Sequence, residues 1–137
     1  MSAPVILDAS AVLAWLHGEP GAEAIDALLQ ASTPCLVPAA NHAEIIAKAL
    51  DRGVAAEAVR DIIASIGYTV IDTAADDGST AGWMRPATRP HGLSLGDRLC
   101  LAAAQRLKAQ VHTADRAWLA VADALQLDIR CIRPDAS

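Results

Sequence analysis

A chain of 137 residues, 53% hydrophobic and 20% charged, is long enough for one domain with a sizeable core and too apolar to be disordered. Its net charge of −5 argues against nonspecific nucleic-acid binding through overall charge. No apolar run reaches the roughly 18 residues of a membrane span, and the N-terminus lacks the basic and long apolar regions of a signal peptide, so the expected location is the cytoplasm, off the membrane.

The predicted elements alternate. Residues 4–7 form a continuous apolar run and read as a strand buried on both faces. A short helix is expected over 10–16, broken by Gly18-Glu19-Pro20-Gly21, and a second over 22–31 with Ala24, Ile25, Leu28 and Leu29 as its apolar stripe. Cys35-Leu36-Val37 is a short buried strand. Residues 39–52 are helical, with Ala43, Ile46, Ala47 and Leu50 on one face, and Gly53 stops them. A helix over 55–65 and a strand over 68–71 follow. Residues 74–83 look helical but carry Gly78 and Gly82. Residues 85–92 hold two prolines, two arginines and a histidine, and read as a loop. A strong helix over 94–108, a strand over 110–113, a helix over 116–125 and a strand over 128–132 complete the order. Such alternation predicts an α/β fold with a mainly parallel sheet covered on both faces.

Charge is unevenly distributed. Residues 1–83 hold three basic residues against eleven acids, whereas residues 84–137 hold eight against five, a local excess that suits phosphates. Cys35, Cys100 and Cys131 form no C-x-x-C pair and read as small core residues. His17, His42, His91 and His112 show no H-x-x-x-H spacing, which argues against zinc.

Four acids stand at informative positions, each with a structural explanation of its own. Asp8 lies where the first strand ends and a helix begins, as a cap or a ligand. Glu44 precedes Lys48 by four residues, the spacing of a surface ion pair. Asp97 follows Ser94 by three, as in a capping box, and Asp115 would favour the positive end of the next helix. The context adds to this. The stretch Leu99-Cys100-Leu101-Ala102-Ala103-Ala104 is apolar on most sides, so Asp97 at its mouth should be partly buried, and Gly96 allows close approach beside it. In a parallel sheet the strand C-terminal ends share one edge, so Asp8 and Asp115 face one crevice if their strands are neighbours. Converging carboxylates about 4 Å apart repel by roughly 4 kcal/mol at an effective dielectric of about 20. Protonation or a divalent cation relieves this, and an oxygen-only ligand set suits Mg²⁺ or Mn²⁺.

The segments Val5-Ile6-Leu7-Asp8-Ala9-Ser10-Ala11, Asn41-His42-Ala43-Glu44, Leu95-Gly96-Asp97-Arg98-Leu99-Cys100-Leu101-Ala102-Ala103-Ala104 and His112-Thr113-Ala114-Asp115 together resemble the PIN-domain pattern. They are similar in particular to the VapC-type toxins of VapBC toxin–antitoxin systems, in size, order and spacing over the whole chain. The resemblance implies one domain over 1–137 with a three-layer α/β/α fold and a central, mainly parallel sheet of four to five short strands. It implies a Mg²⁺- or Mn²⁺-dependent endoribonuclease with Asp8, Glu44, Asp97 and Asp115 as catalytic acids. Asp8 and Asp97 match the direct metal ligands, and Glu44 and Asp115 complete the shell directly or through water. Ser10, Thr113 and Asn41 match supporting residues, Asn41 standing where members often carry Ser or Thr. The partners implied are an RNA substrate, a VapB-type antitoxin and a second copy in a homodimer. Val12, Leu13, Trp15, Leu16, Ile25, Leu28 and Leu29 are expected in the core, with an interface as the alternative. Arg85, Arg89 and His91, just before the Asp97 helix, are candidates for substrate phosphates.

Other chemistries fit less well. A haloacid-dehalogenase-type phosphatase needs a second Asp where Ser10 stands. The G-x-S-x-G turn of a serine hydrolase and the glycine-rich nucleotide loops are absent. A PIN-domain RNA-processing nuclease outside a toxin–antitoxin pair, and a non-catalytic module that binds RNA or protein, remain as alternatives.

Overall fold

The computed structural model describes residues 3–133. Five short strands form one wholly parallel sheet: β1 (Val5–Leu7), β2 (Cys35–Pro38), β3 (Thr69–Ile71), β4 (Gln110–Thr113) and β5 (Ile129–Cys131), in the order β3-β2-β1-β4-β5. Helices cover both faces, so the fold is the expected three-layer α/β/α arrangement. Alternate residues of β1 enter opposite cores. Val5 and Leu7 pack with Val12, Leu13, Ile25, Val37 and Ile45, whereas Ile6 packs with Leu101, Val111, Trp118 and Val121. The first core is closed by α1 (Ala9–Leu16), α2 (Ala22–Gln30), α3 (Ala39–Asp51) and α4 (Ala56–Ser65). The second is closed by α5 (Ala75–Trp83), α7 (Leu95–Leu107), the segment holding Trp118 and Val121, and α8 (Ala122–Leu125), with α6 (Arg85–Thr88) lying between the core residues Met84 and Leu93 in sequence. Cys35 and Cys100 are buried and Cys131 partly so, all as free thiols. Among the described residues no helix is long and apolar enough to cross a membrane.

The strand order decides where a site can form. Chain connections leave β1 toward β2 on one side, and β4 enters on the other. The switch point therefore lies between β1 and β4, and a crevice opens beyond their C-terminal ends. Asp8 and Asp115 follow those two strands.

Three local expectations need correction. Residues 85–92 are not irregular: α6 runs into a 3₁₀ turn at Arg89–His91, with Pro86 and Pro90 in first-turn positions that tolerate proline. Thr88 holds the segment by donating to the Met84 carbonyl at 2.9 Å. Residues 116–125 are not one α-helix but a 3₁₀ segment, Arg116–Val121, followed by α8. The inward face of α3 is Asn41, Ile45 and Ala49, while Ala43, Ala47 and Leu50 are exposed. Ile46 and Leu50 instead line a cleft of about 320 Å³ against Val59, Arg60 and Ile63 of α4. The early apolar residues Val12, Leu13 and Ile25 are core, and Trp15, Leu16, Leu28 and Leu29 pack against it.

Candidate active site

Asp8 sits in extended conformation between β1 and α1 and caps α1 by accepting from Ala11 N–H at 2.8 Å through Oδ1. Ser10 Oγ lies 2.8 Å from both carboxylate oxygens, and Thr113 Oγ1 donates to Oδ2 at 2.7 Å. The two hydroxyls are themselves held by the backbone beyond β4: Ala114 N–H donates to Ser10 Oγ at 2.9 Å, and Asp115 N–H donates to Thr113 Oγ1 at 3.0 Å. The neighbouring strands β1 and β4 are thus tied through one carboxylate. Asp8 is only 3% exposed. Burial pushes its carboxyl up to about 6, against the hydrogen bonds from Thr113, Ala11 and Ser10, and the charge of Asp97 adds to the rise.

Asp97 stands in the first turn of α7 in a reciprocal capping box. Ser94 N–H donates to Asp97 Oδ2 at 2.8 Å, and Asp97 N–H donates to Ser94 Oγ at 3.2 Å. Glu44 approaches from α3. A Cβ built on Gly96 would overlap Glu44 Oε1, so the close approach read from the sequence is made by this carboxylate. Asn41 Nδ2 bridges the two, donating to Gly96 O at 3.3 Å and Glu44 Oε1 at 3.4 Å, while its buried Oδ1 has no hydrogen-bond partner. Burial raises the Glu44 carboxyl, Lys48 at 3.9 Å opposes that, and the charge of Asp97 adds to it. Cys100, on the next turn of α7, has its thiol pushed well up by burial and by the charges of Asp8, Asp97 and Glu44. Three acids therefore surround the start of α7 closely enough to act on a common neighbour.

Asp115 is exposed and caps the 3₁₀ segment, accepting from Ala117 N–H at 3.0 Å. It joins the others through its own N–H, which binds the same Thr113 hydroxyl that binds Asp8. Every capping or pairing role expected for the four acids is present, and the four also share one sheet edge. Arg85, Arg89 and His91 are exposed, and the 3₁₀ turn carrying the last two packs against the segment that Asp115 caps. Arg116 and Arg133, which sequence reasoning did not single out, line a cleft with Ser10, Ala114 and Asp115. The excess of basic residues after position 83 was their one sequence signal. A larger cleft, about 730 Å³, lies at the opposite edge of the sheet, lined in part by Pro4, Lys108, Gln110 and Asp128, away from the four acids.

Among the described residues no three His, Cys, Asp or Glu side chains stand in ready metal-holding geometry. The donor set nevertheless suits a hard cation that keeps most of its waters and takes one or two carboxylates. All four side chains offer oxygen, Asp97 Oδ1 and Asp115 Oδ2 make no hydrogen bond to the described residues, and the Asn41 oxygen is buried and unpaired.

The sequence model of the PIN domain matches residues 5–124. No curated protein matches the chain. Among solved structures it is similar to DNA-bound VapBC from Salmonella typhimurium, with 14% identity over 96% of this chain and 99% of that one and a TM-score of 0.70. It is similar to VapBC-1 from nontypeable Haemophilus influenzae, with 18% identity over 93% and 97% and a TM-score of 0.69. It is also similar to VapC20 from Mycobacterium tuberculosis, described as a Sarcin-Ricin loop cleaving toxin, with 18% identity over 85% and 94% and a TM-score of 0.68. At these identities the likeness is one of fold. The family match spans most of the chain, and the chain therefore belongs to the PIN domain family.

Proposed function

We propose that this protein is a Mg²⁺- or Mn²⁺-dependent endoribonuclease and the toxin half of a VapBC-type pair. One observation carries it: Asp8, Glu44 and Asp97 gather around the start of α7 at the switch point of the sheet, where the charge of Asp97 acts on both Asp8 and Glu44. Asp8 and Asp97 would hold the cation directly, with Glu44 and Asp115 binding directly or through water. The cation supplies Lewis acidity, which makes a water more acidic and offsets charge on phosphate oxygens. Ser10 and Thr113 fix the Asp8 carboxylate, and Asn41 fixes Glu44 against Gly96. Arg85, Arg89 and His91 contact substrate phosphates beside the acids. Water attacks the phosphorus in line, the P–O3′ bond breaks, and the products carry 5′-phosphate and 3′-hydroxyl ends.

The similar structures support a toxin–antitoxin setting, since they are VapBC complexes and a VapC toxin. We assign a VapB-type antitoxin as partner, a cytoplasmic location and a homodimer. Trp83, 86% exposed, and Leu95, 58% exposed, support a covered face. Mapping of cleavage ends across total RNA after brief expression tests the proposal. New ends with the wild-type protein that vanish with Asp8→Asn are expected, and identical ends in both overturn it.

A further inference from the structure

Glu44 and Lys48 stand one turn apart on α3, with Lys48 Nζ 3.9 Å from Glu44 Oε2. An acid four residues before a lysine is ordinary on a helix surface, where such a pair contributes little. This one is placed differently. Glu44 is held against the start of α7: its Oε1 accepts from Asn41 Nδ2, which also donates to the Gly96 carbonyl. Side chains of a helix lean toward its N-terminus, and α3 begins at the end of β2, on the sheet edge where the acids gather. Lys48 therefore reaches back toward the crevice, with Glu44 as its guide. Its side chain is 57% exposed, so the ammonium lies at the surface beside the acids. At 3.9 Å the pair is longer than a hydrogen bond. An ammonium carries three donors, so Lys48 can meet a further oxygen without leaving Glu44.

The chemistry of the crevice calls for such a group. Four ionised carboxylates outweigh a single divalent cation, so an RNA phosphodiester, itself an anion, approaches a negative field. Charge then grows on the phosphate oxygens as water attacks and the P–O3′ bond breaks. We propose that Lys48 is a catalytic residue whose ammonium binds a non-bridging oxygen of the scissile phosphate, with Glu44 holding it in place. Lys48 stays protonated throughout and transfers no proton. It offsets charge as the strand arrives and offsets more of it as the bond breaks. This role rests on the nuclease proposal and deepens it, adding a cation that the protein itself supplies.

Kinetics and binding together test it. Cleavage of a short single-stranded RNA spanning a mapped cleavage site is followed in Mg²⁺ with wild type, Lys48→Gln and Lys48→Arg. Removing one donor aimed at growing charge lowers kcat by roughly 100-fold or more. Lys48→Gln should fall that far, and Lys48→Arg, which keeps the charge, should recover most of the rate. Binding of the same RNA by Asp8→Asn protein is titrated by fluorescence anisotropy over a salt series. Adding Lys48→Gln should make the slope of log K against log salt shallower by about 0.7. Melting temperatures of wild type and both Lys48 variants should coincide, since an exposed pair carries little stability. An unchanged kcat or an unchanged slope in Lys48→Gln overturns the contact and leaves the nuclease proposal standing. Tighter Mg²⁺ binding by Lys48→Gln in calorimetry, with undiminished cleavage, also overturns it and makes Lys48 a competitor of the cation for Glu44. No metal-dependent cleavage by the wild type overturns both proposals.

Discussion

Thr113 Oγ1 donates to Asp8 Oδ2 at 2.7 Å, joining the ends of two strands whose residues lie 105 positions apart. The bond lowers the Asp8 carboxyl against the rise caused by burial. Thr113→Val keeps the shape and removes the donor. The Asp8 carboxyl should then titrate above about 6, readable by NMR of its side-chain carbon. Metal affinity should fall by roughly 10- to 100-fold, readable by calorimetry. An unmoved titration would mean that the hydroxyl does not tune Asp8.

Glu44 and Gly96 give a second prediction. Gly96→Ala places a methyl on the Glu44 carboxylate, so the end of that partly exposed side chain must swing aside. Stability should change by no more than about 1 kcal/mol, read by urea unfolding, because only one flexible side chain moves. RNA cleavage should fall, because Glu44 leaves its place beside Asp97. Full activity in Gly96→Ala would mean that Glu44 does not need that place.

Asp8 also predicts a pH dependence. Its folded value, about 6, lies above the ordinary 3.8. A raised carboxyl holds its proton better in the folded state, so its contribution is fully present below about 3.8 and is lost as pH rises through about 6. Without metal, the Asp8 ionisation should cost on the order of 3 kcal/mol at neutral pH. Asp77, lowered chiefly by its Arg106 hydrogen bonds, acts in the opposite sense and loses its contribution as pH falls. The difference between wild type and Asp8→Asn isolates the first effect: Asp8→Asn should be the more stable at neutral pH, and the gap should close toward pH 4. Mg²⁺ should raise the melting temperature of the wild type at neutral pH and leave that of Asp8→Asn unchanged.

Arg106 donates through Nε and Nη2 to the buried Asp77 carboxylate, both at 2.9 Å, and ties α5 to the helix that carries Asp97. Asp77 is buried while Arg106 lies exposed, so removing Arg106 leaves a carboxylate that has lost its hydrogen bonds. Arg106→Ala should cost about 1–3 kcal/mol, measured by thermal unfolding, whereas Asp77→Asn with Arg106→Leu should recover part of that loss.

Much of the site was legible because strand ends and helix starts are written locally. Three apolar residues running into Asp8, and Ser94 three places before Asp97, each specify a position on an element. Their convergence needed the sheet order, which follows from β1 pairing with β4, and no local pattern encodes that pairing. The same holds for Arg133, which lines a cleft with Asp115 only because β5 lies beside β4. The face of α3 was misjudged for a different reason. A polar residue, Asn41, occupies the buried stripe to hold Glu44 and Gly96, while Leu50 is left outside. Hydrophobic periodicity weighs apolar residues and misses a buried amide with a positioning role. Residues 85–92 were read as a loop because prolines break helix interiors, but both prolines here lie in first turns, where no hydrogen bond is lost.

If the carboxylates around Asp8 hydrolyse RNA with a divalent cation, cleavage needs both. Purified wild-type and Asp8→Asn proteins, each incubated with RNA in Mg²⁺ and again with excess EDTA, separate the two requirements, with the ends identified chemically. Ends with 5′-phosphate and 3′-hydroxyl groups are expected from the wild type in Mg²⁺, and none from the wild type in EDTA or from Asp8→Asn. Undiminished cleavage in EDTA, or equal cleavage by Asp8→Asn, would contradict it.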